Sequence, residues 1–403
     1  MAQKEIHSST FLIHKSTFRS LLEVLLVSTK LGLTSFGGPI AHLGYFHNEY
    51  IQKRKWMDER SYADLVALCQ FLPGPVSSQV GIGIGIIRAG YLGGLLAWIG
   101  FTLPSLFALI LFAFMLQGLD VSSTGWIHGL KIVAVVIVAQ AVLGMGQKLT
   151  PDRSRATLAI LSTGMVLSWQ SPVSQIVTII LAGLIGIILY KETNTEETPK
   201  IIVPISRKTA VVAIVLFFAL LLALPLLRQF SSSHWILMFD SFYRSGALVF
   251  GGGHVVLPLL EQELVSPGWI SSEDFLAGYG ATQAVPGPLF TFAGYLGALI
   301  DGLFGATIAT IAIFLPAFLL VIGVLPFWNQ IRQNHRIRGA LVGIQAAVVG
   351  ILLAALYDPL WTTTITSAFD FVLVSLLFVL LVFWKTPPWI IVLTGACGGI
   401  LIQ

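Results

Sequence analysis

The fold is decided by the stretch FGGPIAHLGYFHNEYIQKRKWMDERSYADLVALCQFLPGP (residues 36–75), which has a counterpart later in the chain. The counterpart is FGGGHVVLPLLEQELVSPGWISSEDFLAGYGATQAVPGP (residues 250–288). Each stretch opens with a diglycine, passes through a polar run that contains a tryptophan, and ends in Pro-Gly-Pro. Acidic, aromatic and amide residues match in the same order: Glu49 with Glu263, Trp56 with Trp269, and Gln70 with Gln283. This shared order at a nearly constant offset indicates an internal duplication.

The composition predicts that the chain resides in a membrane. Hydrophobic residues make up 56% of the chain and charged residues 10%, whereas soluble domains carry about 25% charged residues. We therefore expect an all-α polytopic membrane protein. The net charge of +4 is spread over the loops, so it predicts orientation in the membrane and not binding of nucleic acid.

The remaining sequence features argue against bound metal and against a secreted, disulfide-linked domain. Cys69 and Cys397 each lie in an apolar segment, so neither a disulfide nor a metal framework is expected from them. No motif in the chain predicts another cofactor. The first seventeen residues are polar, and we expect no cleavable signal there.

Apolar segments divide the chain into two halves of six segments each. Those of the first half are Phe18–Ser35, Tyr62–Ile87, Tyr91–Leu116, Trp126–Leu149, Ala156–Trp169 and Val173–Tyr190. Those of the second half are His234–Phe250, Phe275–Ile300, Leu303–Leu325, Gly339–Tyr357, Ser367–Trp384 and Trp389–Ile402. Thr209–Leu227 has no counterpart. We predict a first repeat at 1–190, a cytoplasmic linker at 191–208, a connecting transmembrane helix at 209–233 and a second repeat at 234–403.

The charges of matched loops predict that the two repeats are inserted upside down relative to each other. Across the repeat, the basic residues Lys53, Arg54, Lys55 and Arg60 of the first half face the acidic residues Glu261, Glu263, Glu273 and Asp274 of the second half. Because Lys and Arg mark cytoplasmic loops, matched loops of opposite charge indicate inverted-topology repeats. The unmatched connecting helix supplies the crossing that inverts the second repeat. We expect a cytoplasmic amino terminus and a periplasmic or extracellular carboxyl terminus.

Two interpretations of the broken segments remain open. If the chain enters the membrane and turns back at the diglycine and at Pro-Gly-Pro, the basic run stays on the side of the amino terminus. About thirteen straight spans would instead place that run on the opposite side. Both interpretations include a break at Pro-Gly-Pro, because proline lacks a backbone donor and glycine relaxes the backbone.

The breaks predict an anion site. A helix that restarts after Pro75 or Pro288 directs free N–H groups and a positive dipole end towards the break, and such an end binds anions. We expect substrate contacts from Gln70, Pro73, Gly74, Pro75, Ser77, Ser78, Gln79, Gln283, Pro286, Gly287, Pro288 and Thr291. A structural kink is the alternative for each break alone, but two matched breaks, each preceded by Gln, favour a site. The diglycines Gly37-Gly38 and Gly251-Gly252 are predicted as a second pair of breaks.

Charged and titratable residues within the apolar segments have two interpretations each. Lys30, Arg88 and Arg244 either attract anions and gate their entry or pair with carboxylates. Five residues near the diglycines are candidates for proton coupling, with a structural, hydrogen-bonded role as the alternative: His42, His47, Glu49, His254 and Glu263.

The motifs FGGP, LCQFLPGP, SSQ, FGGGHVVLP and QAVPGPLF resemble those of the chromate ion transporter family in its long, two-domain form. The resemblance implies a cell inner-membrane protein that exports chromate at the expense of the proton-motive force and confers chromate resistance. Sulfate is implied as the structural analogue. The alternatives are a transporter for sulfate or another oxyanion and a passive oxyanion channel. An intramembrane enzyme would need a nucleophile–base pair or metal cluster, which the breaks lack. The expected partners are the oxyanion and membrane lipid, and the sequence leaves open whether two copies form a homodimer.

Overall fold

Helices provide the regular secondary structure of residues 17–117, 125–169, 172–190, 204–230, 233–250, 253–331 and 333–402, which the computed structural model describes. No strand occurs within these ranges, and the predicted all-α class is confirmed. The first half contains α1 (Phe18–Thr34), α2 (Gly38–Phe46), α3 (Glu59–Phe71), α4 (Val76–Leu116), α5 (Gly125–Leu149), α6 (Arg153–Ser168) and α7 (Pro172–Leu189). A π-helical turn, His47–Lys53, continues α2.

The second half repeats this order after the connecting helix α8 (Arg207–Phe230). It contains α9 (His234–Ala247), α10 (Val256–Leu264), α11 (Ser272–Thr282), α12 (Phe292–Val324), α13 (Trp328–Ile331), α14 (His335–Ala355), α15 (Thr362–Thr364), α16 (Ala368–Val382) and α17 (Pro388–Ile402). Short 3₁₀ turns, Gly253–Val255 and Leu289–Thr291, precede α10 and α12. The predicted linker is outside the described residues from 191 to 203.

Matched capping residues begin the helices that lead into the Pro-Gly-Pro breaks. The side chain of Asp58 accepts a hydrogen bond from the N–H of Ser61 at the start of α3. Ser271 does the same for the N–H of Asp274 at the start of α11. Such caps satisfy backbone donors that a helix start leaves free. Both helices therefore begin at corresponding positions and end just before the breaks.

The two long helices α4 and α12 each fold back on themselves. In α4 the backbone leaves helical geometry at Ala89 and at Gly90, where φ is +70°. A side chain on Gly85 would overlap the carbonyl oxygen of Gly93, two residues that a straight helix would separate by about 12 Å. Asp301 and Gly302 break α12 in the same way. Each helix is thus a tight hairpin of a short arm and a long arm.

Ion pairs bring the ends of the first three segments together. Glu23 of α1 binds Arg54, which follows the π-helical turn, at 3.0 Å, and Arg88 at the end of the short arm of α4 at 3.2 Å. The chain therefore runs inward along α1, returns along α2, runs inward again along α3 and returns along the short arm. This geometry favours the re-entrant interpretation over thirteen straight spans.

The long arms of α4 and α12 pack against each other in opposite directions. Trp98 of α4 contacts Phe314 and Phe318 of α12 edge-on. Leu106, later in α4, lies near Thr310, earlier in α12, because both are beside Gly294. Antiparallel equivalent helices are what inverted repeats require, so this packing supports the predicted inversion.

Five of the described helical segments are long and apolar enough to cross a membrane. They are Val76–Leu116, Gly125–Leu149, Arg207–Phe230, Leu289–Ile331 and His335–Thr364. The connecting helix α8 is among them, and it starts two residues before the predicted segment Thr209–Leu227. Shorter apolar helices, Val173–Leu189, Ala368–Val382 and Pro388–Ile402, complete the apolar set.

Candidate functional site

Each Pro-Gly-Pro break is hydrogen-bonded to the other half of the molecule. The N–H of Gly287 donates to the carbonyl of Ser35 at 2.9 Å, and the N–H of Gly74 donates to the carbonyl of Val249 at 2.7 Å. Ser35 and Val249 directly precede the two Phe-Gly-Gly motifs, so the contacts are reciprocal. Each Pro-Gly-Pro break therefore pairs with the segment that leads into the diglycine of the opposite half.

These glycines adopt backbone conformations that suit a break. Gly37, Gly38, Gly74 and Gly287 have φ values of +93°, +75°, +120° and +110°, a region that side chains with a Cβ rarely occupy. The chain turns at these positions without a strained residue. Gly251 and Gly252 lie outside the described residues.

A small cavity, the central cavity, marks the junction of the first diglycine with the second Pro-Gly-Pro break. Its volume is about 20 Å³, which is room for about one water molecule. Its lining contains no Asp, Glu, Lys or Arg. The lining residues are Gly37, Gly38, Pro39, His42, His254, Thr282, Gln283, Val285, Gly287, Leu289 and Pro388. Neutral donors without a carboxylate are an environment that suits an anion.

Two polar side chains at this junction have unused hydrogen-bonding capacity. The amide nitrogen Nε2 of Gln283 is buried without a hydrogen-bond partner, and so is the hydroxyl of Ser35. A buried donor without a partner costs about 1–3 kcal/mol, and a ligand with several acceptor oxygens would remove that cost. Gln283 therefore fits its predicted role as a substrate contact.

A side chain that follows each Pro-Gly-Pro break donates a hydrogen bond to a carbonyl of the break itself. Nε2 of Gln79 donates to the carbonyl of Pro73 at 2.7 Å, which leaves its Oε1 without a partner. The predicted contacts Ser77 and Ser78 are buried at the start of α4, and the Ser78 hydroxyl has no partner. Thr291 donates to the carbonyl of Pro288 at 2.7 Å, so its hydroxyl hydrogen serves the turn.

Gln70 and Gln283 occupy different environments despite their matched positions. The Gln70 side chain is exposed at the end of α3, and it is not part of the lining of the central cavity. Gln283 lines the central cavity. The helix α11 ends at Thr282, before its Gln, whereas α3 extends through its Gln to Phe71.

The structure separates the candidate proton-coupling residues into two groups. His42 and His254 both line the central cavity; His42 packs edge-on to Phe101, and Nδ1 of His254 shares a hydrogen bond of 2.7 Å with the hydroxyl of Tyr279. His47 instead pairs with Glu59. The histidines at the central cavity thus remain the candidates whose protonation would act on a bound anion.

Glu49 and Glu263 form the centres of two matched ion-pair networks. Glu49 binds Lys30 at 2.9 Å and Arg54 at 3.1 Å. Glu263 binds Arg244 at 2.7 Å. For Lys30 and Arg244, and for Arg88 with its partner Glu23, the structure shows pairing with a carboxylate. Their positive charge is therefore largely compensated, which weakens the alternative that they attract anions.

The sequence analysis did not single out several residues at the junction, among them Ser35, Thr282 and Pro388. Ser35 immediately precedes the first motif, and a search for hydroxyl side chains beside each motif would have found it. Pro388 begins α17, 99 positions after Leu289, the preceding residue of the lining, and nothing in the repeat pattern indicates its position there.

Comparison with known proteins gives a consistent result for both halves. A family model described as "Chromate transporter" matches residues 22–187 and residues 235–400. A comparison with solved structures found no significant match.

Three curated relatives match along most of their length. The chromate transport protein of Pseudomonas aeruginosa is 27% identical over 336 residues, which cover 82% of this chain and 78% of the relative. The probable chromate transport protein of Synechococcus elongatus is 29% identical over 360 residues, 86% of each chain. An uncharacterized transporter of Methanocaldococcus jannaschii is 28% identical over 342 residues, 83% of each chain.

Proposed function

We propose that this chain, which belongs to the chromate transporter family, is a secondary transporter that moves chromate out of the cell across the inner membrane. The observation that carries the proposal is the acid-free cavity where the first diglycine meets the second Pro-Gly-Pro break. Relatives named chromate transport protein support chromate as the substrate. Sulfate has the same tetrahedral shape and double negative charge, and we expect it to compete.

The proposed binding mode uses neutral donors. Gln283 Nε2 and the Ser35 hydroxyl would donate to substrate oxygens, and the free N–H groups at the breaks would add to them. Hydrogen bonds to charged groups contribute about 1.5–3 kcal/mol each, so a few donors suffice for a dianion. Since the lining includes no fixed cation, the site can also release its substrate.

The small volume of the central cavity supports alternating access. A volume of about 20 Å³ holds about one water molecule and is too small for a tetrahedral oxyanion. Substrate entry therefore requires the halves to move apart at the Gly287–Ser35 or Gly74–Val249 contact. Because these contacts are reciprocal, opening one while the other stays closed would expose the site to one side at a time. A passive channel would not need such closure.

The proposed orientation has the amino terminus in the cytoplasm and the carboxyl terminus outside. It rests on the basic run Lys53-Arg54-Lys55, which the fold-back of α1 and α2 keeps on the side where α1 begins. The proton-motive force is proposed as the energy source, with His42 and His254 at the cavity as titratable groups.

The function is tested by chromate uptake into everted membrane vesicles that contain the protein. We expect uptake in energised vesicles, its loss on addition of an uncoupler, and competition by sulfate. Equal uptake with and without a proton gradient would show a passive channel. Absence of chromate uptake, with uptake of sulfate or molybdate instead, would change the substrate and leave the transport mechanism in place.

A further inference from the structure

The unmatched helix α8 covers one face of the second repeat. A Cβ added to Gly323 of α12 would lie 2.6 Å from the side chain of Ile214 of α8. A backbone carbonyl of α8 accepts a hydrogen bond of 3.0 Å from the hydroxyl of Tyr243 of α9. Near the end of α8, Arg228 binds Asp240 of α9 at 3.4 Å. The helix α8 therefore packs across α9 and the long arm of α12.

The corresponding face of the first repeat is formed by α1 and the long arm of α4. A Cβ added to Gly32 of α1 would overlap the carbonyl oxygen of Phe101 of α4, and a Cβ on Gly246 of α9 would overlap that of Ile313 of α12. These equivalent contacts fix which residues correspond. The matched pairs are Leu26 with Asp240, Lys30 with Arg244, Phe107 with Leu319, and Leu111 with Gly323.

The matched residues are exposed in the first repeat and buried in the second. Phe107 is 73% exposed, whereas Leu319 is 7% exposed. The side chain of Lys30 is 54% exposed, and that of Arg244 is 13% exposed. We define the open face as four exposed residues of the first repeat: Leu26, Lys30, Phe107 and Leu111. The second repeat covers the equivalent surface with α8.

The ion pairs beside the open face contain more cations than carboxylates. Glu49 is the partner of three cations among the described residues. They are Lys30 at 2.9 Å, Arg54 at 3.1 Å and Lys53 at 3.6 Å. Arg54 also binds the carboxylate of α1 that pairs with Arg88. Each cation is paired, but four cations share two carboxylates, which leaves an excess of positive charge.

The equivalent network of the second repeat is balanced. Within the described part of the chain, Arg228 and Arg244 share two carboxylates, those of Asp240 and Glu263. The first repeat has Leu26 at the position of Asp240, so it lacks the second acid beside α1's cation. A helix like α8 would add a further cation there. An occupant of the open face should instead carry negative charge.

Lys30 and Lys53 have the capacity to bind that charge. Their side chains are 54% and 56% exposed. A lysine ammonium has three donors, and each of these two contacts one oxygen of Glu49. Lys30 lies one helical turn from Leu26, which is 61% exposed. A lysine on an apolar helix face lays its methylenes along that face and places its ammonium at the polar boundary.

We propose that the open face binds an anionic phospholipid. Its phosphate would contact Lys30 and Lys53, and an acyl chain would lie along Leu26, Phe107 and Leu111. Basic side chains beside membrane helices recognise such headgroups. A second copy of this chain fits less well, because a two-fold contact would bring two identical positive clusters into one interface. The lipid site is independent of which oxyanion the protein transports.

The first test measures lipid selectivity by native mass spectrometry of the detergent-purified full chain. Phosphatidylglycerol and phosphatidylcholine with identical acyl chains are titrated separately. We expect phosphatidylglycerol to bind about tenfold more tightly, because cations near its phosphate add to the attraction. Glycerol phosphate, which has no acyl chains, should bind at least about tenfold more weakly than phosphatidylglycerol. Equal binding in either comparison overturns the proposal.

A pair of double variants assigns the selectivity to the lysines of the site. Lys30→Gln/Lys53→Gln should bind the two phospholipids with dissociation constants within about twofold of each other. The matched control Lys148→Gln/Lys208→Gln removes the same charge from two exposed lysines elsewhere and should keep the preference for phosphatidylglycerol. A preference that survives in Lys30→Gln/Lys53→Gln, or that is lost equally in the control, overturns the proposal.

Two single variants test the charge balance and the occupant. Leu26→Asp introduces the acid that the second repeat has as Asp240 and leaves both lysines in place, so it should also abolish the preference; an undiminished preference contradicts the charge argument. Phe107→Ser should leave the oligomeric state unchanged in size-exclusion chromatography with light scattering. A wild-type dimer that Phe107→Ser dissociates would assign the open face to a second copy and overturn the lipid site.

Discussion

Replacing Gly287 with alanine tests whether the contact between the halves needs a backbone that glycine alone tolerates. Gly287 has φ +110°, and a Cβ added there would lie 2.7 Å from Oγ and 3.1 Å from Cβ of Ser105. The strained backbone costs about 1–3 kcal/mol, and overpacking adds about 1–3 kcal/mol. We therefore expect Gly287→Ala to lower the free energy of unfolding by about 2–6 kcal/mol.

Two further variants separate strain from crowding. Gly268 has φ +79°, and a Cβ there would meet no atom within 4 Å, so Gly268→Ala should show the cost of strain alone. Adding Ser105→Ala to Gly287→Ala removes the closest contact and should restore part of the loss. Thermal unfolding in detergent, followed by tryptophan fluorescence, ranks the variants by melting temperature. Equal melting temperatures for Gly287→Ala and Gly268→Ala would refute the reasoning, because crowding at Ser105 would then contribute nothing.

Three more predictions concern the ion pairs, the hairpins and the inversion. Arg244→Gln should destabilise the fold by about 3–5 kcal/mol, because it removes the nearer cation from buried Asp240 and Glu263 and leaves only the longer contacts of Arg228. Lys30→Gln, at a side chain that is 54% exposed, should cost about 1 kcal/mol or less; similar losses in chemical unfolding would contradict this difference. Gly85→Leu should prevent the hairpin of α4 from closing and reduce the yield of monodisperse protein in size-exclusion chromatography, and a normal yield would show that the hairpin can open. Cysteines introduced one at a time at the matched positions Lys53 and Ser266, after both native cysteines are replaced, should react with an impermeant maleimide from opposite sides of the membrane. Labelling from the same side would exclude inverted repeats.

Much of the fold could be predicted because the lengths of the apolar segments and the glycines between them determine it locally. The segment Tyr91–Leu116 coincides with the long arm of α4, and Trp126–Leu149 starts one residue after α5. Gly90 and Gly302 mark the hairpin turns in both halves because a positive φ requires glycine there. The polar run after each diglycine was harder to interpret, since its helices α2 and α10 are short and carry polar residues that packing buries.

The candidate site could be predicted less completely, because side-chain direction depends on tertiary packing. The match between Gln70 and Gln283 predicted equivalent roles, but α3 and α11 end at different points relative to these residues. The hydrogen bond between Ser35 and Gly287 joins the two halves, and no local pattern specifies which carbonyl a break will find. The roles of Lys30 and Arg244 were open in the sequence because the same cation can pair with a carboxylate or attract an anion.

The most direct test of the account is the chromate affinity of the purified protein in three forms: wild type, Gln283→Ala and Gln70→Ala. Gln283 lines the central cavity with an unpartnered amide donor, and Gln70 is exposed. Loss of one hydrogen bond to a charged ligand costs about 1.5–3 kcal/mol, which raises the dissociation constant about tenfold to a hundredfold. The account predicts this loss for Gln283→Ala and a nearly unchanged affinity for Gln70→Ala. Unchanged affinity in Gln283→Ala would contradict an oxyanion site at the junction of the first diglycine with the second Pro-Gly-Pro break.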